Sequence, residues 1–188
     1  IEEVLKEGET LGFDGRVVSV GEGEGYAAIA RKKNAKVNYQ VDLIDEIWED
    51  RPVLSEEPAF NLDVKYAGET VASKLARIRE EMKEAGTNVH VVSTIDDICW
   101  TLNIRGNDID FFPLVLSYGI ITMDSFELYI DEKKLDDKLK AKLAKDGVNL
   151  HPYNDIYEDV KKFGSDVVAM IDPGKLNYAL FNNIPENV

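Results

Sequence analysis

Apolar residues recur at helical spacing in three stretches of the chain. The clearest is residues 69–86, whose apolar positions are separated by four, three and four residues and are Val71, Leu75, Ile78 and Met82. Such spacing places the apolar side chains on one face of a helix. Residues 133–147 and 152–164 show the same pattern, and each of the three stretches finishes at a glycine, which favours the end of a helix. The pattern therefore predicts three amphipathic helices.

Shorter apolar runs between these helices indicate strands. The runs at 89–92 and 166–172 are mostly apolar, as expected of strands covered on both faces. The runs at 113–122 and 126–131 are separated by three residues, a length typical of an antiparallel hairpin. Further strands are predicted at 10–15, 36–42 and 148–151, and further helices at 24–35, 93–102 and 174–183. The stretch 43–52 starts with a helical pattern and stops at a proline, and 21–25 is interpreted as a turn.

Strands and helices alternate along most of the chain, and one hairpin interrupts the alternation. This order is typical of layered α/β proteins, in which helices flank a sheet. We therefore predict an α/β fold with a mixed, mostly parallel sheet that contains one antiparallel hairpin. The proline-containing stretch 51–68 has no clear period and favours a domain boundary near residue 60. The predicted domains are residues 1–60 and 61–188.

The charge balance excludes two classes of partner. With 22 basic and 36 acidic residues the net charge is −14, which repels nucleic-acid backbones and anionic membrane surfaces. No apolar run approaches the roughly 20 residues of a membrane span. The single cysteine, Cys99, lies in an apolar run; it is interpreted as a core residue and fits a reducing, cytoplasmic compartment. The first residue is not methionine, so we expect the chain to start inside a longer protein.

Few residues suggest chemistry on their own. Asp96 and Asp97 fall at the start of the helix predicted for 93–102, where Ser93 or Thr94 is the expected cap, and helix capping explains them. Asp108 is followed two residues later by another aspartate, which is a possible start of a hard-cation site, but no further ligand pattern follows. The histidines, His90 and His151, share no metal-ligand spacing. The residues alone predict a soluble α/β domain with no catalytic residue and no metal ligand.

Arg105 is the residue with two open interpretations. It precedes Gly106, which permits close backbone approach, and its planar guanidinium suits a carboxylate. One interpretation is a local ion pair with Asp108 or Asp110. The other is a loop that faces a substrate or a partner domain.

The stretch around Arg105 resembles the aminopeptidase P branch of the creatinase/prolidase family. The helix at 69–86 and the motif "WTLNIRGNDIDFFP" (100–113) are similar to the middle domain of the three-domain Xaa-Pro aminopeptidases, and "LIDEIWEDRP" (43–52) and "LHPYNDI" (150–156) extend the resemblance over essentially the whole chain. The matching positions are Asp96, Asp97, Ile98, Trp100, Leu102, Asn103, Ile104, Arg105, Gly106, Asp108, Pro113, Ser117, Tyr118 and Ile120. Two positions depart from the family pattern: Cys99 stands where alanine is usual, and Phe111–Phe112 replace more polar residues.

The resemblance implies a non-catalytic part of a peptidase. Residues 1–60 correspond to the end of the first domain and 61–188 to the middle domain. The parent enzymes release the N-terminal residue from peptides with proline second, and their C-terminal domain holds two divalent metal ions, usually manganese, on two Asp, one His and two Glu. No motif here matches those ligands, so the resemblance implies no cofactor in this chain and no peptidase activity of its own.

The resemblance also implies partners for this chain. They are the catalytic domain of the same polypeptide, a second copy in a homodimer, and proline-containing peptides in the parent enzyme. Asn103, Arg105 and Asp108 are the predicted contacts to substrate or to the catalytic domain. Two alternatives stay open: a stand-alone interaction module that binds through Phe111–Phe112, and a small-molecule binding domain with its ligand at a switch point of the sheet.

Overall fold

The computed structural model describes all 188 residues, which divide into two compact units. The first comprises residues 1–53 and 172–184, and the second comprises residues 54–171 and 185–188. The sequence favoured a division near residue 60. The chain leaves the first unit at residue 53, and a later segment, 172–184, returns to it.

The first unit opens with a βαβ arrangement. Strand β1 (Thr10–Gly12) and strand β2 (Lys36–Asn38) pair in parallel, and helix α1 (Val20–Lys32) connects them. Helix α1 starts at Ser19 because the side chains of Ser19 and Glu22 each accept from the other's backbone N–H, which forms a capping box. The interpretation of 21–25 as a turn is therefore wrong, since these residues lie inside α1. The stretch 43–52 forms turns rather than the helix its start suggested.

The second unit contains the remaining strands and most of the helices. Its elements are β3 (Phe60–Asn61), α2 (Val64–Ala67), α3 (Val71–Glu84), β4 (Val89–Val92), α4 (Ile95–Leu102), β5 (Ile104–Arg105), β6 (Tyr118–Thr122), β7 (Phe126–Tyr129), α5 (Asp137–Lys145), β8 (Val148–His151), α6 (Ile156–Asp159) and β9 (Ala169–Met170). Five strands form one sheet in the order β8-β7-β6-β4-β9, and β3 pairs antiparallel with β5.

The sheet is mixed, which confirms the predicted α/β class. The outer pairs β7–β8 and β4–β9 are parallel, and β6–β7 is the predicted hairpin. The structure adds a second antiparallel pair, β4–β6, in which Val89 lies opposite Thr122. The sequence did not reveal this pair because helix α4 and the long loop after β5 separate the two strands along the chain.

Several predicted elements are shorter than their patterns indicated, most clearly those in the second half of the chain. The helix expected at 133–147 is a single 3-10 turn (Glu132–Lys134) followed by α5, because Asp136 starts a new helix by accepting from the backbone N–H of Leu139 at 2.7 Å. The helix expected at 152–164 is reduced to α6 and a 3-10 turn, and the strand expected at 166–172 is reduced to β9.

The core of the second unit lies between the sheet and the apolar faces of α3, α4 and α5. It includes Leu75, Met82, Ile98, Leu102, Ile104, Phe126, Leu128 and Leu143, all of which are buried. Gly119 on β6 lets the ring of Phe126 approach, because a Cβ at this position would lie 2.6 Å from the ring.

Residues 172–184 complete the first unit with the last helix, α7 (Tyr178–Phe181), whose N-cap Asn177 accepts from the backbone N–H of Leu180. The Tyr178 ring packs against the rings of Phe13 and Tyr39, with centroids 5.6 and 5.1 Å away. None of the helices is both long enough and apolar enough to cross a membrane.

Candidate functional site

The residues that the sequence singled out lie in and just before the loop between β5 and β6: Asn103 follows α4, Arg105 ends β5, and Asp108 lies in the loop. Gly106 begins the loop, and a Cβ at this position would lie 2.7 Å from a methyl group of Val115. The backbone N–H groups of Gly106 and Asp108 donate to Pro113 and Leu114, which brings the two ends of the loop together. The predicted close approach at Gly106 is therefore confirmed, and it gives the loop a narrow, hydrogen-bonded base.

Asp108 anchors this base through a buried ion pair. Its Oδ2 accepts from Lys134 Nζ at 2.5 Å and from the backbone N–H of Leu116 at 2.7 Å. The side chains of Asp108 and Lys134 are 0% and 2% exposed, and Asp108 Oδ1 has no hydrogen-bond partner. Removing either member would leave a buried charge without a partner, which is strongly unfavourable. The pair therefore holds the loop against the 3-10 turn before α5.

Arg105 makes neither of the local ion pairs that its sequence suggested. Its Nη1 donates to the backbone carbonyls of Cys99 and Ile104, at 2.7 and 2.8 Å. A cation at this position satisfies the Cys99 carbonyl in the last turn of α4 and complements the helix dipole. The interpretation as a pair with Asp108 or Asp110 is wrong. The residue as a whole is partly exposed.

Asn103 lies inside the molecule. It follows α4 in the left-handed conformation, with φ of 53°, and is buried. Its Oδ1 accepts from Lys74 Nζ at 2.7 Å, and its Nδ2 donates to the Glu69 carbonyl at 2.8 Å. Asn103 therefore connects the end of α4 to the start of α3.

Lys74 is the second buried lysine of this unit. Its Nζ also donates to the Trp100 carbonyl at 2.6 Å and lies 4.2 Å from the centre of the Trp100 ring. Burial lowers the pKa of Lys74, because the charged form is removed from water. The sequence gave no signal for either buried lysine, since each lies in a charged stretch that is typical of a solvated surface.

The tip of the loop is apolar and exposed. Ile109, Phe111 and Phe112 are 37%, 101% and 61% exposed. Phe111 has φ of 67°, a conformation that a bulky residue adopts at a cost. Strained backbone of this kind clusters at functional positions. Two exposed aromatic rings on a rigid base form a surface suited to contact with another macromolecule.

The remaining candidate residues have structural explanations. Cys99 is buried, and burial raises the pKa of its thiol, which confirms it as a core residue. His90 Nδ1 lies 3.0 Å from the Met170 carbonyl, and His151 Nε2 lies 2.6 Å from a Glu127 oxygen. Thr94 is the N-cap of α4 without a side-chain hydrogen bond, so the predicted capping box is absent.

The chain contains no cluster of three or more His, Cys, Asp or Glu side chains arranged to hold a metal ion. Its residues therefore do not fit the two-metal centre that the family resemblance implies for a neighbouring domain, and we assign no catalytic step to them.

Comparison with known proteins identifies the family. Residues 50–188 match the family model of the creatinase/prolidase N-terminal domain. A probable Xaa-Pro aminopeptidase P of Sordaria macrospora is 39% identical over 186 residues and aminopeptidase P2 of Arabidopsis thaliana is 34% identical, with 94% and 97% of this chain covered. These alignments cover 29% and 26% of the two relatives, so the chain spans less than a third of their length.

A solved structure shows the same fold. X-prolyl aminopeptidase of Caenorhabditis elegans, described as a cytosolic enzyme with a di-nuclear active site, superposes with a TM-score of 0.90 at 33% identity. The match covers 98% of this chain and 31% of that one. From residue 50 onward the chain belongs to the creatinase/prolidase N-terminal domain family, and its relatives are Xaa-Pro aminopeptidases.

Proposed function

We propose that this chain is the non-catalytic region of an Xaa-Pro aminopeptidase, an enzyme that releases the N-terminal residue from peptides with proline second. In this proposal the loop 106–113 abuts the catalytic domain of the same polypeptide and limits the space available to the peptide. The names of the relatives and the fraction of their length that the chain spans support the assignment. The two divalent metal ions belong to the catalytic domain.

The observation that carries the proposal is the contrast between the base of the loop and its tip. The base is fixed by the buried Asp108–Lys134 pair and the close packing at Gly106. The tip presents Phe111 and Phe112 to solvent. A loop that is rigid and apolar at the same time is suited to a fixed protein contact, because little conformational entropy is lost when it is covered.

The three predicted contact residues have different roles in this proposal. Arg105 is the direct contact, since this residue is partly exposed. Asn103 and Asp108 have buried side chains and position the loop and the end of α4. Support of a homodimer and a cytoplasmic location are further parts of the proposal; the description of the C. elegans relative as cytosolic supports the second.

A second function is favoured by the same exposed tip. Phe111 and Phe112 would serve equally in a stand-alone module that binds a partner without any peptidase in the same polypeptide. The two proposals differ in what covers the rings: a domain of the same polypeptide, or a separate protein.

The test is a double substitution, Phe111→Ser with Phe112→Ser, in the enzyme that contains this region. We expect kcat/KM for an Xaa-Pro peptide to fall about ten-fold, because the contact that positions the catalytic domain loses its apolar anchors. Val168→Ser is the matched control, since Val168 is an exposed apolar residue elsewhere in the second unit. An unchanged kcat/KM in the double variant, with far-UV circular dichroism also unchanged, would reject the proposed contact.

A further inference from the structure

A separate recess is lined in part by Lys134. It is a half-open cavity of about 400 Å³ within the second unit. Its apolar walls include Leu116, Ile130 and Tyr153, and its polar residues include Asp131 and Lys134. The volume lies at the small end of the range of roughly 300–1,000 Å³ that is typical of ligand pockets. Neither Phe111 nor Phe112 lines it.

The charges around this cavity do not balance. Lys134 is neutralised by Asp108, and Glu132, which also lines the cavity, pairs with Lys140 at 3.1 Å. Lys133, next to both, pairs with Glu56. Asp131 is in none of the ion pairs of the structure, and its Oδ1 accepts only the backbone N–H of Lys133 at 3.0 Å.

Asp131 is thus the carboxylate of this group without an ion-pair partner of its own, and Lys133, on which its charge also acts, is already paired with Glu56. The acid lies beside an apolar wall, where a ligand would exclude water and strengthen its electrostatic contacts. An anionic ligand would meet an unpaired carboxylate, which is unfavourable. A cation attached to an apolar group complements both features of the cavity.

We propose that this cavity binds an ammonium group carried by a compact apolar side chain, with the ammonium on Asp131 and the apolar part against Leu116 and Ile130. A free aromatic or branched amine offers this chemistry, and so does the N-terminal residue of a short peptide. The site is separate from the loop tip and does not depend on the proposed peptidase function.

The test is a titration of the ¹⁵N-labelled 188-residue chain with phenethylamine, followed by NMR. We expect saturable shifts of the amide signals of Leu116, Ile130 and Asp131. Phenethyl alcohol has the same apolar part without the charge, and it should bind about ten-fold more weakly because the charge-assisted hydrogen bond is lost. A leucine-initiated tripeptide, with its N-acetylated form as the control that lacks the ammonium group, distinguishes the two sources. Tighter binding of the free peptide than of phenethylamine identifies a peptide terminus. Tighter binding of phenethylamine identifies a small amine.

The matched variants are Asp131→Asn and Glu132→Gln. Asparagine keeps the oxygen that accepts from Lys133, so Asp131→Asn removes the charge without removing the cap, and the affinity for phenethylamine should fall about ten-fold. Glu132→Gln should change it less than two-fold, because this carboxylate is already paired. The absence of saturable shifts in the wild-type chain would overturn the proposal. Equal binding of amine and alcohol, or unchanged affinity in an Asp131→Asn variant whose other signals are unshifted, would overturn it as well.

Discussion

Two lysines of the second unit are equally buried but are stabilised by different partners. Lys134 faces a carboxylate, Asp108, which is itself buried. Lys74 faces neutral oxygens, those of Trp100 and Asn103, and the face of an indole ring. Glu69, the acid whose charge acts on Lys74, is hydrogen-bonded to Arg77. One lysine is held by an opposite charge, the other by dipoles and an aromatic face.

The difference decides what each lysine does for the fold. Loss of the Lys134 ammonium would leave a buried carboxylate, which is among the most unfavourable states in a protein interior. Loss of the Lys74 ammonium would leave carbonyl and amide oxygens without a donor, which is less unfavourable. We infer that the Asp108–Lys134 pair holds the loop in one position. The contacts of Lys74 with neutral groups connect α3 to α4 less strictly.

The largest expected effect is that of Lys134→Met. It should lower the free energy of unfolding by about 3–5 kcal/mol, since Asp108 becomes an unpaired buried charge. Adding Asp108→Asn to this variant should recover most of the loss, because the unpaired charge is then removed. Lys138→Met is the control on an exposed lysine of the neighbouring helix α5. Urea unfolding measures all three, and failure of Asp108→Asn to recover stability would break the comparison.

Lys74→Met should have an intermediate effect. The free energy of unfolding should fall by about 1–3 kcal/mol, because the Trp100 carbonyl and Asn103 Oδ1 lose their donor. The fluorescence of Trp100 should change as well, since the cation leaves its ring. A loss as large as that of Lys134→Met would show that the two sites do not differ as the comparison requires.

The smallest expected effect concerns acid stability next to Lys74. Hydrogen bonds from Arg77, and then Ser73, lower the pKa of Glu69 from 4.5 to about 2. A carboxyl group with a lowered pKa in the folded state contributes stability above its unfolded pKa and loses it as the pH falls. The contribution of Glu69 should therefore disappear between about pH 4.5 and pH 2. Glu69→Gln should be less sensitive to acid in this window than the parent chain, as measured by thermal unfolding.

Glu80→Gln is the control for that experiment. Glu80 is exposed and pairs with Lys83, and both residues lie on helix α3. If both substitutions flatten the acid dependence equally, the effect comes from net charge rather than from the Glu69–Arg77 hydrogen bonds.

Local patterns were sufficient for the elements whose signals lie within a few residues. Helix α3 falls where its apolar spacing indicated, and the hairpin β6–β7 falls on either side of its three-residue connection. Gly106 was identified as a point of close approach because glycine has no Cβ atom and tolerates contacts that other residues do not. The family resemblance was also contained in this local stretch, and the comparisons confirm the family.

The roles of the candidate site residues required the fold. One interpretation of Arg105 was a pair with neighbouring acids, but its guanidinium donates to the Cys99 and Ile104 carbonyls. Asp108 pairs with a lysine 26 residues away, and Asn103 with one 29 residues away. No periodicity or spacing reveals such pairs, because they depend on which elements become neighbours in space. The assignment of these residues to substrate or to a catalytic domain stays a prediction.

The sequence by itself determined the position of the clearest helices and strands and the family to which the chain belongs, because hydrophobic spacing, turn residues and motifs act over short distances. The tertiary structure decided the second antiparallel pair, the burial of two lysines and the exposure of Phe111 and Phe112. The physical reason is that the environment of a charge or a ring is set by residues distant in sequence, and only the packed chain brings them together.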